Sequence, residues 1–439
     1  MVKRIKTFKI HPKSWMIDKL IKQVGEYFTK IKDPRGSNAH YKLVDCLKGA
    51  FAMFSLKDPS LLVFRKNYEQ RQSNLQRIYG LGDIPQDTAL REAIDGVSPD
   101  SFNWLFPKLI ETVKAEGIWE SRKVLGDYMT VSVDGTGHYC SGKKSCQHCM
   151  IKNLKNGKQQ FYHQKLAAVQ MHPEVKTVFP LGTEAIIRQD GASKNDCEHN
   201  AAKRLLPRIS SHFGTDSILY VMDALYATGP MIKLIKSLKA SFLIGIKEGY
   251  VLIQADHLTA KNQLQKAVWS DGKTKGIAKF TNGLILNGKH QDILVNYVAF
   301  EQIDIATGKV VYSNSWITDI EITCGNVRQL VKMGRSRWKI ENETFNTLKN
   351  QGYQLEHNYG HGKEYLATNF AILMFIAFLV EQIAQALCHD FLTAWQFCKS
   401  KKQLWEKVRQ VFDLLPAKSM NAIYRFIAKG RQIDYPLLE

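Results

Sequence analysis

Acidic residues are in short supply. The 439-residue chain holds 41 Asp+Glu against 61 Lys+Arg, a formal net charge of +20. That imbalance points to an anionic partner, nucleic acid above all; the plain alternative is a charge that only keeps the protein soluble. Long apolar runs are also missing. The longest, Phe370 to Val380, is shorter than the ~20 residues that cross a bilayer. The basic N-terminus is not followed by an apolar stretch, so no secretory signal and no membrane partner are expected. Eight cysteines in so long a chain do not make a disulfide scaffold. There are no internal repeats and no low-complexity tract. A hydrophobic content of 44% with 10% aromatics excludes a disordered chain. The expectation is a cytosolic globular protein of roughly two to four units.

The positive charge is unevenly spread. Residues 1–66 carry 15 Lys+Arg and five acids, so half of the net charge lies there. Tyr41, Val44, Leu47, Phe51 and Phe54 recur at helical spacing, and Ser98-Pro99 is a helix start signal ahead of the stripe Phe102 to Val113. Residues 1–125 thus read as a basic all-helical DNA-binding domain, or else a helical scaffold with a solvated charged face.

After Gly126 the pattern becomes α/β. Tyr128 to Val133 alternates and is β-branched, as a strand should be, and it runs into Asp134. Strands are expected at Phe161 to His172 and Thr177 to Ile187, then a helix from Asn195 to Phe213. Ser217 to Met222 is nearly all apolar, which marks a central strand; Asp223 follows it. A helix over 229–239 and a buried strand over 240–246 complete the unit. Two aspartates are therefore expected at the C-terminal ends of two strands, where open sheets place ligands. From 247 to 322 the pattern turns β-rich, with strands at Val251–Ala255, Gly283–Leu286, Asp292–Ile303 and Lys309–Thr318. An apolar helix over 365–387, read as core or dimer packing, precedes a basic patch (Lys399, Lys401, Lys402) and a helical tail.

The segment Arg335 to Lys349 is the most informative. At about 100° per residue, Glu341 falls in one arc with Trp338, Phe345 and Leu348, while Glu343 falls on the far side. An acid in a core-facing stripe must be paired or bound to a metal. Arg337, four residues before it, is a suitable partner, and an ordinary structural ion pair is the alternative.

Asp134, Asp223 and Glu341, in that order on a first strand, a fourth strand and a later helix, resemble the catalytic triad of bacterial insertion-sequence transposases of the DDE (RNase H-like) superfamily. The resemblance covers about 126–395. It is closest to the subgroup with a β-rich insertion before the Glu and a Tyr-x2-Arg-x3-Glu-x6-Lys signature. Arg337-x3-Glu341 matches that signature. Gly334 stands in place of its Tyr, Leu348 stands at its Lys position, and Lys349 comes one residue late.

The resemblance implies an α/β fold: an RNase H-like core, a mixed sheet flanked by helices, made of 126–246 and 323–395. The β-rich insertion is 247–322 and the helical C-terminal tail is 396–439. It implies a DNA transposase that binds element ends, then cleaves and transfers strands with two Mg²⁺ (Mn²⁺ able to substitute) held by Asp134, Asp223 and Glu341. Two such ions ~3.5–4 Å apart stabilise both oxygens of an in-line displacement. It also implies a homodimer or higher oligomer on double-stranded DNA at the bacterial nucleoid. Two other readings stand beside this one: a catalytically silent or domesticated DNA-binding protein of the same fold, and a host RNase H-like nuclease. The large insertion speaks against the nuclease.

Several residues extend the DNA reading. By resemblance, Trp316 stacks on a flipped base, against ordinary packing on its own sheet. Arg337 and Lys349 lie on the signature helix. Lys143 and Lys144, with Lys152, Lys155 and Lys158, make the loop after Asp134 basic. His357 and His361 flank a glycine-rich loop that could contact phosphate. Cys146 and Cys149 form a CxxC which, with Cys197 and His163, would make a discontinuous structural Zn²⁺ site; reduced thiols are the alternative. Asp190 could be an extra acid near the site; turn and helix-cap roles are the alternative for it and for the Asp196-Cys197-Glu198 run.

Overall fold

The computed structural model describes residues 15–83, 85–187, 197–214 and 216–429. Lys3, Arg4, Lys6, Lys9, Lys13, Asp190 and Asp196 lie outside them.

The chain is a mixed α/β structure built on a ten-stranded sheet with helices on its flanks. The strands are β1 (Tyr128–Ser141), β2 (Met150–Asn153), β3 (Gln159–His172), β4 (Val175–Ile186), β5 (Ser217–Met222), β6 (Ser241–Gly245), β7 (Gln265–Ser270), β8 (Thr274–Asn287), β9 (His290–Asp304) and β10 (Val310–Thr318). Their order is β2-β3-β1-β5-β6-β10-β9-β8-β7, with β4 also on β3. The β1–β5 and β5–β6 pairs are parallel and the rest antiparallel. β5 is buried from Ile218 to Met222, as its unbroken apolar run requires of a central strand. This arrangement, with helices such as Glu198–Phe213 laid on the sheet, is consistent with an RNase H-like core.

One expectation about 247–322 needs correction. Val251–Ala255 is not a strand: it lies in the helix Tyr250–Ala260, whose buried positions Val251 and Ala255 are four residues apart on one face. The β-rich segment continues the main sheet: β10 pairs with β6 through Trp316↔Gly245, Ile317↔Ile244 and Thr318↔Leu243.

The helix Leu366–Leu387 lies at the centre of the helical layer. All but two of its side chains are buried. By length and composition it could cross a membrane, yet 89% of its most apolar window is covered by this chain's own fold. It packs on β4 on one side and on the helix Leu43–Leu56 on the other, where Phe54 meets Phe370 at 5.7 Å between ring centroids. The helices of 15–125 thus share one apolar core with the sheet-bearing part of the chain. Ion pairs fasten this layer. Glu381, on the central helix, takes Lys57 at 2.5 Å and Lys401 at 2.7 Å, and accepts the Tyr353 hydroxyl at 2.8 Å. Lys401, expected in an exposed basic patch, is therefore committed to a buried acid.

Candidate active site

The register of the parallel β1–β5 pair runs from Tyr128↔Ser217 to Ser132↔Val221. Two residues further it sets Asp134 level with Asp223. β1 does not stop at the aspartate as expected: it continues to Ser141 against β3, with Asp134 opposite Ala167. Asp134 therefore lies where β1 parts from β5. Asp223 follows the last residue of β5, and its Oδ1 accepts the Leu225 N–H at 3.0 Å, capping a short 3-10 turn.

Arg337 joins the first and third acids. Its Nη1 lies 3.2 Å from Asp134 Oδ2 and its Nη2 2.5 Å from Glu341 Oε1. The Asp134 side chain is 18% exposed. Burial pushes its carboxyl up to about 6, with Arg337 and the Gly135 N–H opposing that rise. Glu341 and Asp134 hold the Arg337 guanidinium charged against the cost of its own burial.

The signature helix is not one regular helix. Val327–Ser336 is α-helical, Arg337 forms a turn, Ile340–Phe345 is a π segment, and Asn346–Asn350 is α-helical again. Such single π-turns amount to one extra residue in an α-helix, often at functional sites. This changes the face expected for Glu341. Of the arc expected to face the core, Phe345 and Leu348 are buried, but Trp338 is 45% exposed and Glu341 lies on the exposed side with it. Lys339, Ile340, Thr344, Phe345, Thr347 and Leu348 are buried, and Glu341 is exposed with Arg337 as its partner. Glu343 faces Lys339 instead, whose ammonium donates to the carbonyls of His172, Pro173 and Val175. The π-turn also absorbs one residue between Glu341 and Lys349. Lys349 then falls close to the helical phase that a lysine seven residues after the acid would have in a regular helix.

A fourth acid joins the group. Glu198, at the start of the helix Glu198–Phe213, lies against Gly135, where any Cβ would overlap its carboxylate. It accepts the Tyr226 hydroxyl at 3.2 Å, and burial raises its carboxyl above the usual range, with Asp223 adding to the rise. The sequence signal for this position is the glycine directly after Asp134, which leaves room for another group.

Other expected positions lie elsewhere. Trp316 is 2% exposed and packs under Gly334, so its ring is not offered to a base. Lys349 pairs with Glu356 at 2.7 Å. Lys143 and Lys144 are exposed, and their N–H groups donate to Ser141 Oγ in a turn. His357 is exposed, with its ring edge-on to Tyr359. Cys146, Cys149 and His163 do come together, but Cys197, exposed at the start of the helix Glu198–Phe213, is not with them. His361 takes the fourth place, and the four ligand atoms lie within 4.8 Å of one another.

Compared with known families, residues 126–379 match the model for the transposase DDE domain. No curated protein matches the chain. The matched stretch begins just before β1 and ends within the central helix, so it takes in all four acids of the site.

Proposed function

The chain belongs to the DDE transposase family, and from that premise we propose that it cuts and joins DNA at the ends of a mobile element, with Asp134, Asp223 and Glu341 as its catalytic acids. One observation carries the proposal. Asp134 and Asp223 stand level where two parallel strands part, and Arg337 ties Asp134 to Glu341.

Members of the family use divalent metal ions. The donors here suit Mg²⁺, with Mn²⁺ as substitute. Asp134, Asp223, Glu341 and Glu198 set four carboxylates against one guanidinium, and all are hard oxygen donors. Bound there, such ions stabilise the charge on the attacking and leaving oxygens of an in-line phosphoryl transfer. The chain's own part is to hold the carboxylates. The β1–β5 register fixes two of them, and the Asp223 cap on Leu225 orients its side chain. Arg337 holds Glu341 beside Asp134; metal ions would take over the two carboxylates, and a phosphate would compete for the guanidinium. The same guanidinium is then free to meet a phosphate oxygen, which Arg grips in bidentate fashion. Water is the first nucleophile, and the freed 3′-hydroxyl is the second.

Grip on the duplex falls to basic surface. Lys143 and Lys144 are exposed in the loop that follows the strand carrying Asp134, and the exposed Lys152, Lys155 and Lys158 lie on β2 and in its turn to β3. The excess positive charge of residues 1–66 adds to that grip, and an oligomer assembles on the paired ends. The Lys349 phase supports placing that lysine on the DNA side of the helix. The same surface would bind DNA in a silent relative, so cleavage decides between the two readings.

The test is Mg²⁺-dependent cleavage of the DNA that flanks the gene, with Asp134→Ala, Asp223→Ala, Glu341→Ala and Glu343→Ala. The first three should abolish cleavage while DNA binding persists, and Glu343→Ala should remain active. Full activity of Glu341→Ala would sink the assignment.

A further inference from the structure

Away from the acids, three separate parts of the chain converge on a point. Cys146 and Cys149 come from the loop between β1 and β2, His163 from β3, and His361 from the loop that follows the Glu341-bearing segment. Cys146 Sγ lies 3.9 Å from Cys149 Sγ and 3.4 Å from His163 Nε2. Cys149 Sγ lies 3.4 Å from His163 Nε2 and 3.3 Å from His361 Nε2. Cys149, His163 and His361 are buried and Cys146 is half-buried.

Hydrogen bonding among neutral groups does not account for this cluster. Cys149 Sγ faces three neighbours with a single weak S–H to offer. The outer Nδ1 atoms of His163 and His361 have no partner among the described residues. A central cation, in contrast, accepts all four inner atoms at once. Zn–S bonds of ~2.3 Å and Zn–N bonds of ~2.0–2.1 Å in a tetrahedron imply S···S edges of about 3.8 Å and S···N edges of about 3.5 Å. The observed separations are close to those edges. Two thiolates and two imidazoles in a closed set are the donors of a structural Zn²⁺, while the carboxylate site offers only oxygen.

We propose that Cys146, Cys149, His163 and His361 bind one structural Zn²⁺, which clasps the loop after the Glu341 segment onto the far end of the strand that carries Asp134. β1 runs from Asp134 to Ser141 and leads into the CxxC loop, and His361 lies on the chain that leaves the signature helix. The ion therefore closes a covalent and coordinate ring through both halves of the acid site. No step of phosphoryl transfer runs through it, since a site with four protein ligands has no open position.

The experiment is metal analysis of the full chain, purified without chelator, with Co²⁺ exchange as an optical readout. One zinc per chain is expected. Cys146→Ser, Cys149→Ser and His361→Ala should each lower it to background, whereas Cys197→Ser and Asp134→Ala should leave it unchanged. Because a ligand-loss variant can fail by misfolding, His361→Cys supplies the second measurement. It should keep one metal per chain and strengthen the thiolate-to-Co²⁺ charge-transfer band by about half, from two thiolates to three. Absence of zinc together with failure to take up Co²⁺ overturns the proposal. So does an unchanged band in His361→Cys, or zinc loss in Cys197→Ser with retention in His361→Ala.

Discussion

Gly334 lies flat against the ring of Trp316: a Cβ at Gly334 would come within 2.6 Å of the indole. The contact seats the helix Val327–Ser336 on β10, and it explains why glycine occupies a place where the related signature has tyrosine. Trp316→Ala should therefore act on stability. Removal of so large a buried side chain costs ~3–5 kcal/mol. Urea unfolding should show that loss with no specific defect in DNA-joining products; normal stability with altered products would restore the base-stacking role. Gly334→Ala should destabilise in the same direction by overpacking, by ~1–3 kcal/mol.

Arg337 is the joint between two carboxylates, so its replacement should hurt cleavage more than folding. Arg337→Lys can reach one carboxylate but not fork to both. A fall of at least tenfold in cleavage rate, about 1.4 kcal/mol of barrier, is expected for Arg337→Lys and a larger fall for Arg337→Ala. Single-turnover cleavage under saturating DNA measures it; wild-type rates in both variants would remove Arg337 from the site.

Glu198 is expected to matter although no signature names it. Glu198→Gln should lower the cleavage rate by tenfold or more and raise the Mg²⁺ concentration needed for half-maximal rate. Gly135→Ala should do the same from the other side of the contact, because the new methyl would displace the Glu198 carboxylate. A Mg²⁺ titration that is identical for wild type and both variants rejects the role.

The buried Glu381 cluster predicts a pH limit on stability. Burial alone would raise the Glu381 carboxyl, but Lys401 and Lys57 more than offset it and hold it at about 2, below its ordinary value of 4.5. A carboxyl depressed on folding adds stability that is complete above about 4.5 and is lost as pH falls toward about 2. Glu381→Gln should flatten that part of the stability–pH curve. It should also cost ~3–5 kcal/mol at neutral pH, since it strands buried lysine charge. Chemical denaturation across pH 2–7 tests both.

Lys143 and Lys144 should strengthen binding without choosing sequence. Removing one lysine that neutralises a phosphate lowers the slope of log K against log salt by about 0.9. Lys143→Ala with Lys144→Ala should reduce the slope by up to about 1.8 on specific and random duplexes alike. An unchanged slope would take the loop off the DNA.

The strands of the core are legible because half-buried strands alternate and central ones do not. Ser217–Met222 has the same bounds in sequence and structure. The same logic misassigns Val251–Ala255, because a short apolar run does not distinguish a strand from a helix buried along one narrow face. Asp134, Asp223 and the Arg337–Glu341 pair are visible as a pattern of order and spacing. The face of Glu341 is not, because wheel arithmetic assumes an unbroken α-helix and Ile340–Phe345 is a π segment. Glu198 looks like a helix-start acid, since nothing local shows that the sheet brings Gly135 beneath it. His361 is 198 residues from His163, and only the folded chain pairs them.

The central helix Leu366–Leu387 imposes an order on synthesis. The helix Leu43–Leu56, which packs on it through Phe54 and Phe370, leaves the ribosome more than 300 residues earlier. At roughly 5–20 residues per second, that face waits between about 15 seconds and a minute for its partner. During that interval the first helices are a hydrophobic client for chaperones, and a chain cut off before Leu366 has a core that never closes.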